Sequence, residues 1–301
     1  MLVAPRRWTL PQRLSAVLSL EGFTVLVALA LASGAAPVRA DDEPIPDLPE
    51  VDEEPIPDLP TVEAPLDPIR QLVGMAANPQ LPMEEGQKFF EDIVRRGPLA
   101  LTSLAQLFRD PSSSDREAWV AARALGRIGG EGARRTLVEG LTSPRVICRL
   151  GAVSGLTTLK DKESAQALEG ALFDQAMTVR AAAADALAAI GMKRSARALS
   201  NALDLPANFH QGRSLFVRRH IVVALGKIGS IYGIEMLVKT LRDPEPEIQL
   251  AALSALEGTT GMSFRDASVA PDAPPDPEEI AAWDGWWSKR QVAEPGRTSS
   301  P

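Results

Sequence analysis

The sequence is poor in the side chains on which most metal and catalytic sites depend. It holds one cysteine, two histidines and one tyrosine among 301 residues. Zinc sites need several Cys or His ligands, and Cys148 and His210 stand 62 residues apart, so a Cys and His cluster cannot form. A single cysteine also excludes an internal disulfide framework. We therefore expect no metal, no cofactor and no enzyme activity.

The net charge of −7 is distributed unevenly along the chain. Residues 1–40 carry four arginines and one glutamate, which gives +3. Residues 41–70 carry eleven acidic side chains and one arginine, which gives −10. Residues 71–301 carry 27 acidic and 27 basic side chains, so this remainder is neutral. The chain therefore has three segments with different physical characters.

Residues 1–40 have the pattern of a signal peptide. Arg6, Arg7 and Arg13 form a basic start, an apolar run covers residues 22–37, and small residues favour cleavage after Ala40. A retained membrane anchor is the alternative, but the run is shorter than the ~20 apolar residues that a bilayer requires. We expect an exported protein, periplasmic or extracellular, which contacts a membrane only if the signal segment is retained.

Residues 41–70 predict a disordered, acidic, proline-rich linker. They contain too few apolar side chains to offset the entropy of ordering. The sequence EPIPDLP at 43–49 recurs at 54–60. A stiff spacer is the simpler interpretation. The alternative is that the duplicated apolar residues dock in a groove on a partner, as two pairs: Ile45 with Leu48, and Ile56 with Leu59.

An internal repeat of 31 residues dominates the third segment. Its leucines are separated by 31, 31, 38 and 31 residues: Leu125, Leu156, Leu187, Leu225 and Leu256. Small or apolar residues recur four and three positions before each leucine, which places them on one helical face. A glycine four residues after three of the leucines predicts a left-handed helix end: Gly129, Gly191 and Gly229. Further leucines predict a preceding helix in each unit.

The predicted fold is all-α, an α-solenoid of about five helix pairs within residues 71–261. One pair cannot bury its apolar stripes alone, whereas stacked pairs form a continuous core. Three segments resemble the short HEAT repeats of the phycobilin-lyase type: AARALGRIG at 121–129, RAAAADALAAIG at 180–191 and RRHIVVALGKIG at 218–229. Such repeats occur in many bacterial scaffold proteins.

The resemblance covers roughly residues 99–261 and implies protein recognition through the exposed faces of stacked helices. Deoxyhypusine hydroxylases of this fold carry repeated His-Glu pairs for iron, and this sequence contains no His-Glu dipeptide. Phycobilin lyases act in the cytosol on light-harvesting proteins, a role that does not suit an exported chain. The resemblance therefore indicates a scaffold rather than either activity.

A column of arginines precedes three of the repeat leucines by seven residues: Arg149, Arg180 and Arg218. The interpretation we favour is a structural ladder with acidic turn residues, of which the candidates are Asp110, Asp174 and Asp243. The alternative is a basic stripe that binds phosphate or nucleic acid. Residues 83–261 hold 23 basic and 20 acidic side chains, and this small excess argues against a nucleic-acid partner.

Two groups of residues are candidate contacts for a protein partner. The seven extra residues between Leu187 and Leu225 fall around 205–214, and insertions in solenoids emerge as loops. The candidates there are Phe209, His210, Gln211 and Arg213, with a tolerated surface loop as the alternative. The second group flanks the apolar stripe of the second helices and is expected on the concave surface: Arg123, Arg127, Asp185, His220 and Lys227.

Residues 262–301 predict a proline-rich linker, a short WxxWW helix and a disordered tail. The helix places three tryptophans on one face: Trp283, Trp286 and Trp287. They either cap the open end of the last repeat or form an exposed hook for a partner or a glycan.

The function that the sequence favours is a non-catalytic HEAT-repeat scaffold that mediates protein–protein interaction in the cell envelope or outside the cell. Two alternatives remain open. One is a lyase-like enzyme accessory that holds a ligand on the concave face. The other is a structural spacer of the envelope. The partner is expected to be a protein of unknown identity.

Overall fold

A computed structural model describes residues 67–266, 268–270 and 272–293. The predicted signal peptide, the predicted linker up to residue 66 and the predicted tail after residue 293 lie outside the described residues. Within the described ranges, none of the helices combines the length and the apolar character that crossing a membrane requires.

The described residues form thirteen α-helices, two short 3-10 helices at Gly97–Ala100 and Pro206–Asn208, and one hairpin of β1 (Phe209–His210) and β2 (Arg213–Ser214). The helices are α1 Pro68–Ala77, α2 Met83–Arg95, α3 Leu101–Arg109, α4 Asp115–Ile128, α5 Glu131–Gly140, α6 Val146–Leu159, α7 Lys162–Ala171, α8 Met177–Ile190, α9 Ser195–Leu203, α10 Phe216–Ile228, α11 Ile231–Thr240, α12 Pro246–Thr260 and α13 Pro277–Ala293.

Helices α3 to α12 form five consecutive pairs. The first helices are α3, α5, α7, α9 and α11, and each packs against the first helix of the next pair. The second helices are α4, α6, α8, α10 and α12, and these pack against one another in the same way. Two helical layers result, and the prediction of an all-α solenoid is confirmed. Before them, α1 and α2 form a hairpin that packs against α4.

The core lies between the two layers and is built by the repeat leucines. All five are completely buried, and so are the small residues that precede them, such as Ala121 and Ala183. The first helices contribute leucines from the other side, including Leu137, Leu168 and Leu199. Small side chains on the second helices let the layers approach, while the leucines fill the space between them.

The ends of the second helices follow the predicted turn at two of three glycines. Gly191 (φ 75°, ψ 23°) and Gly229 (φ 59°, ψ 35°) adopt the left-handed conformation. Gly129 differs, because its φ of 76° is combined with a ψ of −164°. Gly130 also has a positive φ of 87°, so two glycines share this connection and the chain turns without a left-handed cap.

Gly126 in α4 and Gly155 in α6 mark a close contact between two second helices. A Cβ atom added to Gly126 would lie 2.6 Å from both the Cα atom and the carbonyl oxygen of Gly155. These are backbone atoms, so no side-chain rotation relieves the clash. The two helices approach this closely only because both positions lack a side chain.

We expect Gly126→Ala to lower the free energy of unfolding by about 1 to 3 kcal/mol, because α4 and α6 must move apart. Urea denaturation followed by circular dichroism measures the change. Gly132→Ala is the matched control, since Gly132 is also helical but has no atom within 4 Å of the added Cβ. The control should be neutral or slightly stabilising. Equal effects of the two substitutions would contradict the helix contact.

The arginine ladder forms at two of its three predicted steps. Arg149 makes a bidentate pair with Asp174, at 2.7 Å from Nε to Oδ2 and 2.9 Å from Nη2 to Oδ1. Arg218 lies 2.6 Å from Asp243. Burial opposes the charge of Arg218, but hydrogen bonding and attraction to Asp243 outweigh it and raise its pKa. Both pairs join a second helix to the turn of the following repeat.

Arg180 and Asp110 depart from the predicted ladder. Arg180 donates from Nε to Oδ1 of Asn208 at 2.8 Å and from Nη2 to the carbonyl oxygen of Ala207 at 2.6 Å. The inserted segment places this neutral amide where other repeats have an aspartate, and burial lowers the pKa of Arg180. Asp110 pairs instead with Arg70 of α1, at 2.8 Å.

Arg218 has two carboxylate partners that differ in burial. The Asp243 side chain is 7% exposed and the Asp204 side chain is 69% exposed. We expect Asp243→Ala to lower the free energy of unfolding by about 2 kcal/mol, because it leaves a buried cation short of a partner. Asp204→Ala, the control, should cost below about 1 kcal/mol. Thermal denaturation compares them, and a larger effect of Asp204→Ala would overturn the assignment.

Candidate functional site

The outward stripe of the second helices forms one exposed surface, which we call the second-helix face. It carries most of the predicted contact residues together with further charged side chains: Arg116, Arg123, Arg127, Asp185, Arg219, His220, Lys227, Glu247 and Glu257. Among these residues, α4 and α10 contribute the basic side chains, and α8 and α12 contribute the carboxylates. The mixed charge expected from the sequence is thus a property of this face.

Asp185 and His220 are brought together across the boundary between α8 and α10. His220 Nδ1 lies 2.9 Å from Oδ2 and 3.0 Å from Oδ1 of Asp185. The ring of Phe216 meets His220 edge to face, with the ring centroids 5.7 Å apart. Both members of the pair remain accessible to solvent. They form a polar contact point on the second-helix face.

An open groove of about 670 Å³, the N-terminal groove, lies between the α1–α2 connection and the helices α4 and α6. Its apolar lining includes six large or rigid side chains: Pro79, Leu81, Phe90, Trp119, Ile147 and Leu150. Arg116 and Arg123 also line it. The guanidinium of Arg123 stands 4.8 Å from the ring centroid of Phe90, which is a cation–π contact.

The predicted contact residue Arg127 lies one turn beyond this groove, with Nη2 3.8 Å from Oε2 of Glu91. Arg116 and Arg123 differ from Arg127 in their ion pairing. Among the residues that the structure describes, neither has a carboxylate within ion-pair distance. The N-terminal groove therefore combines an apolar, aromatic lining with two arginines that form no ion pair with a described carboxylate. The acidic residue of its lining, Asp115, pairs with Arg145.

A second groove of about 1170 Å³, the C-terminal groove, lies between α10, α12 and the segment that follows α12. Charged residues of both signs line it: Arg219, Lys227, Glu247, Glu257, Arg265 and Asp272. The predicted contact residue Lys227 thus stands in its wall. Small residues such as Gly258 and Ser254 also line the groove and leave it open.

The inserted segment between α9 and α10 is the β1–β2 hairpin. Gln211 (φ 50°) and Gly212 (φ 76°) occupy its turn, and positive φ at both central positions matches a type I′ turn. His210, Gln211 and Arg213 are exposed, whereas Phe209 is partly buried with the guanidinium of Arg218 4.6 Å from its ring centroid. Phe209 therefore holds the hairpin in place, and the other three are left for contact.

A row of exposed apolar residues, which we call the apolar edge, was not predicted. Val146, Met177 and Phe216 are the first residues of α6, α8 and α10, and each is about half exposed. Phe173 adds a fourth at 51% exposure. The sequence did contain a signal for this edge. Each of these three helices begins with an apolar residue, and none has the polar N-cap side chain that is usual at a helix start.

The three tryptophans of α13 differ in exposure. Trp283 is fully buried and meets Phe264 edge to face at 4.9 Å, Trp287 is buried, and Trp286 is partly exposed. Helix α13 packs against α11, as a first helix of a sixth pair would. Asp284 pairs with Arg242 of the last repeat. This is the arrangement that a cap requires.

The polar residues of the described ranges do not converge on a metal site. No group of three His, Cys, Asp or Glu side chains there is placed to hold a metal ion. Cys148 is buried in α6. The predicted contact residues fall instead in four places: beside the N-terminal groove, at the Asp185 and His220 pair, in the C-terminal groove and on the hairpin.

Stacked helix pairs in two layers, with one layer presenting an open face of mixed charge, define a HEAT-like α-solenoid. The comparison with protein families agrees. Residues 135–210 match the family model described as HEAT repeats. This match covers the end of α5 through β1, which includes two of the five repeat leucines.

Three solved structures illustrate what this chain is similar to. The complex of CpcE and CpcF of phycocyanin lyase from Nostoc is 20% identical, covers 77% of this chain and 99% of its own, and has a TM-score of 0.32. A designed armadillo repeat protein is 20% identical (64% and 99% covered, TM-score 0.37). Human deoxyhypusine hydroxylase is 14% identical (64% and 96% covered, TM-score 0.33). No curated protein sequence matches the chain significantly.

Proposed function

We propose that this protein is a non-catalytic scaffold that binds another protein through its second-helix face. The observation that carries the proposal is the N-terminal groove, where apolar and aromatic side chains surround two arginines that form no ion pair with a described carboxylate. Trp and Arg in a partly enclosed pocket are the residue types that contribute most to protein interfaces.

The charge pattern supports a protein partner rather than a polyanion. The second-helix face carries both signs, with Asp185, Glu247 and Glu257 among its cations. A nucleic acid would be repelled by these carboxylates, because its affinity depends on a continuous basic surface. A protein surface can match alternating charges, and such complementarity sets specificity and the rate of association.

Photocrosslinking in the native cell tests this function. Benzoylphenylalanine in place of Ser254, an exposed residue in the C-terminal groove, should capture one defined protein. The same probe in place of Val138, an exposed residue on the first helix α5, is the control and should capture none. Capture from Val138 alone, or equal capture from both positions, would count against the second-helix face.

The location of this scaffold follows from the predicted signal peptide, and we propose that it acts in the cell envelope or outside the cell. The basic start and apolar run of residues 1–40 support export. Mass spectrometry of the protein from its native source tests the proposal. An N-terminus at Asp41 is the expected result, and an intact N-terminus in a cytosolic fraction would refute it.

The C-terminal groove supports a second candidate function, the holding of a small ligand. Its charged residues face one open space, and Arg219 and Lys227 stand opposite Glu247 and Glu257. Native mass spectrometry of the full chain from its native source would show a bound small molecule that Lys227→Met releases. A chain that carries no added mass would exclude this candidate and leave the protein-binding scaffold.

A further inference from the structure

One stripe of helix α4 places a tryptophan between two arginines at the N-terminal groove. Arg116, Trp119 and Arg123 all line the groove, and residues three, four and seven apart share one face of a helix. Both arginines are exposed, and Trp119 is partly buried. The Cα atoms of the two arginines are about 10 Å apart, because each helical residue rises 1.5 Å. The stripe therefore presents an aromatic surface between two positive charges.

The acidic side chains beside this stripe are engaged with other residues. Asp115, which also lines the groove, accepts a hydrogen bond from Nη2 of Arg145 at 2.6 Å. Glu117 accepts from the backbone N–H and the hydroxyl of Ser114, at 2.9 and 2.7 Å. Among the described residues that line the groove, the charged ones are Asp115 and the two arginines, so the lining has a net positive charge.

The remainder of the lining is mostly apolar and leaves room for large side chains. Trp119, Ile147 and Leu150 are partly buried, and Phe90 is buried beneath them in a groove of about 670 Å³. Open apolar surface of this kind marks an interaction site, because leaving it in water is unfavourable. An occupant that matches the whole groove therefore needs a large apolar side chain as well as negative charge.

We propose that the N-terminal groove binds an acidic segment of the partner protein in which a large apolar side chain stands between carboxylates. This inference rests on the proposed function and adds the chemistry of the partner. The carboxylates would accept charge-assisted, bidentate hydrogen bonds from Arg116 and Arg123. The apolar side chain would pack against Trp119, Ile147 and Leu150, where an aromatic anchor contributes most to affinity.

Charge complementarity favours this occupant over other partners. A purely apolar segment would remove water from two guanidinium groups without supplying a hydrogen bond in return, which is unfavourable. A nucleic acid gains affinity from a continuous basic surface. Here Asp115 interrupts the basic stripe within the groove. An acidic segment with an apolar side chain satisfies both the cations and the apolar lining.

Selection from a displayed library of random peptides against the purified full chain tests the proposal. We expect the enriched peptides to carry Asp or Glu on both sides of a Leu, Ile, Phe or Trp residue. The most enriched peptide, synthesised with a fluorescent label, then serves as the probe, and fluorescence anisotropy measures its affinity. Replacing its acidic residues by Asn or Gln, or its large apolar residue by Ser, should weaken binding about tenfold or more.

Charge reversal on the protein assigns the probe to the groove. Arg116→Glu with Arg123→Glu should weaken binding about tenfold or more, because repulsion replaces attraction. Both side chains are exposed, so the fold should tolerate the change, and circular dichroism verifies this. Arg135→Glu with Lys239→Glu reverses two exposed cations of the first helices and is the matched control. It should change the affinity less than about twofold.

Three outcomes would overturn the acidic segment as the occupant. These are enrichment of only basic or uncharged peptides, equal affinity of the probe for the groove variant and the control variant, and tighter binding of a single-stranded oligonucleotide than of the probe to the same arginines. None of them affects capture of a partner by benzoylphenylalanine at position 254. Failure of this proposal is therefore distinguishable from failure of the scaffold function.

Discussion

Leu187→Asp should unfold the repeat stack at room temperature or leave it marginally stable. Leu187 is the central leucine of α8, in the middle pair, and it is completely buried. Its burial is worth about 1.5 to 3 kcal/mol, and an unpaired carboxylate in the same position adds a further penalty. The total loss of about 4 kcal/mol or more approaches the whole stability of many domains. Urea denaturation followed by circular dichroism measures it.

The control for this prediction lies on the same helix. Ala189→Asp introduces the same side chain two residues later, at an exposed position of α8. We expect its free energy of unfolding to stay within about 0.5 kcal/mol of the original chain. If Leu187→Asp had the same denaturation midpoint as Ala189→Asp, the register of the repeat would be wrong.

Trp283→Ala should lower the free energy of unfolding by about 3 to 5 kcal/mol, the second largest effect that we expect. Trp283 is the largest fully buried side chain among the described residues, and its removal leaves a cavity beside Phe264 that α13 cannot close. Loss of α13 would also expose the apolar end of the last pair. Thermal denaturation with light scattering should show a lower midpoint and aggregation.

Trp286→Ala provides the comparison, because Trp286 lies on the same helix and is only partly buried. Its effect should stay below about 1 kcal/mol. The alternative interpretation, a tryptophan hook for a partner, predicts the reverse for Trp283→Ala: unchanged stability with loss of binding. A stable Trp283→Ala variant would therefore rule out the cap.

The repeat made the fold predictable from sequence. Residues such as Leu156 and Leu225 recur in one helical register, and each must be buried against the next pair, so periodicity alone specifies the stacking. The hairpin of α1 and α2 could not be predicted from the repeat, because it precedes the first repeat and its residues do not follow the 31-residue pattern. The partner of Arg180 was missed because the insertion moves Asn208 into the position of an aspartate.

The candidate site was only partly predictable, for a physical reason. Charged residues on the exposed stripe, such as Asp185 and Lys227, follow from helix geometry once the buried stripe is known. The N-terminal groove does not follow from helix geometry, because three elements that are distant in sequence form it. Leu81, Trp119 and Leu150 each come from a different one of these elements. Its shape depends on how the first hairpin packs against α4, which no local pattern encodes.

The inserted hairpin also has one property that the sequence predicts and one that depends on tertiary contacts. Its position was given by the spacing of 38 residues between Leu187 and Leu225. Its conformation depends on contacts with other elements, since the backbone N–H of Ser214 donates to Oε1 of Glu245 at 2.6 Å and Phe209 lies beside Arg218. The spacing could not show that Phe209 is held beside Arg218 while His210, Gln211 and Arg213 stay exposed.

The central claim is that the second-helix face binds a protein, and the affinity of the captured partner for charge-reversed variants tests it most directly. Arg219→Glu with Lys227→Glu reverses two exposed cations of this face, whereas Arg135→Glu with Lys239→Glu reverses two on the first helices. We predict that the first pair weakens binding about tenfold or more and that the second changes it less than about twofold. The opposite ranking, or equal losses, would contradict the claim.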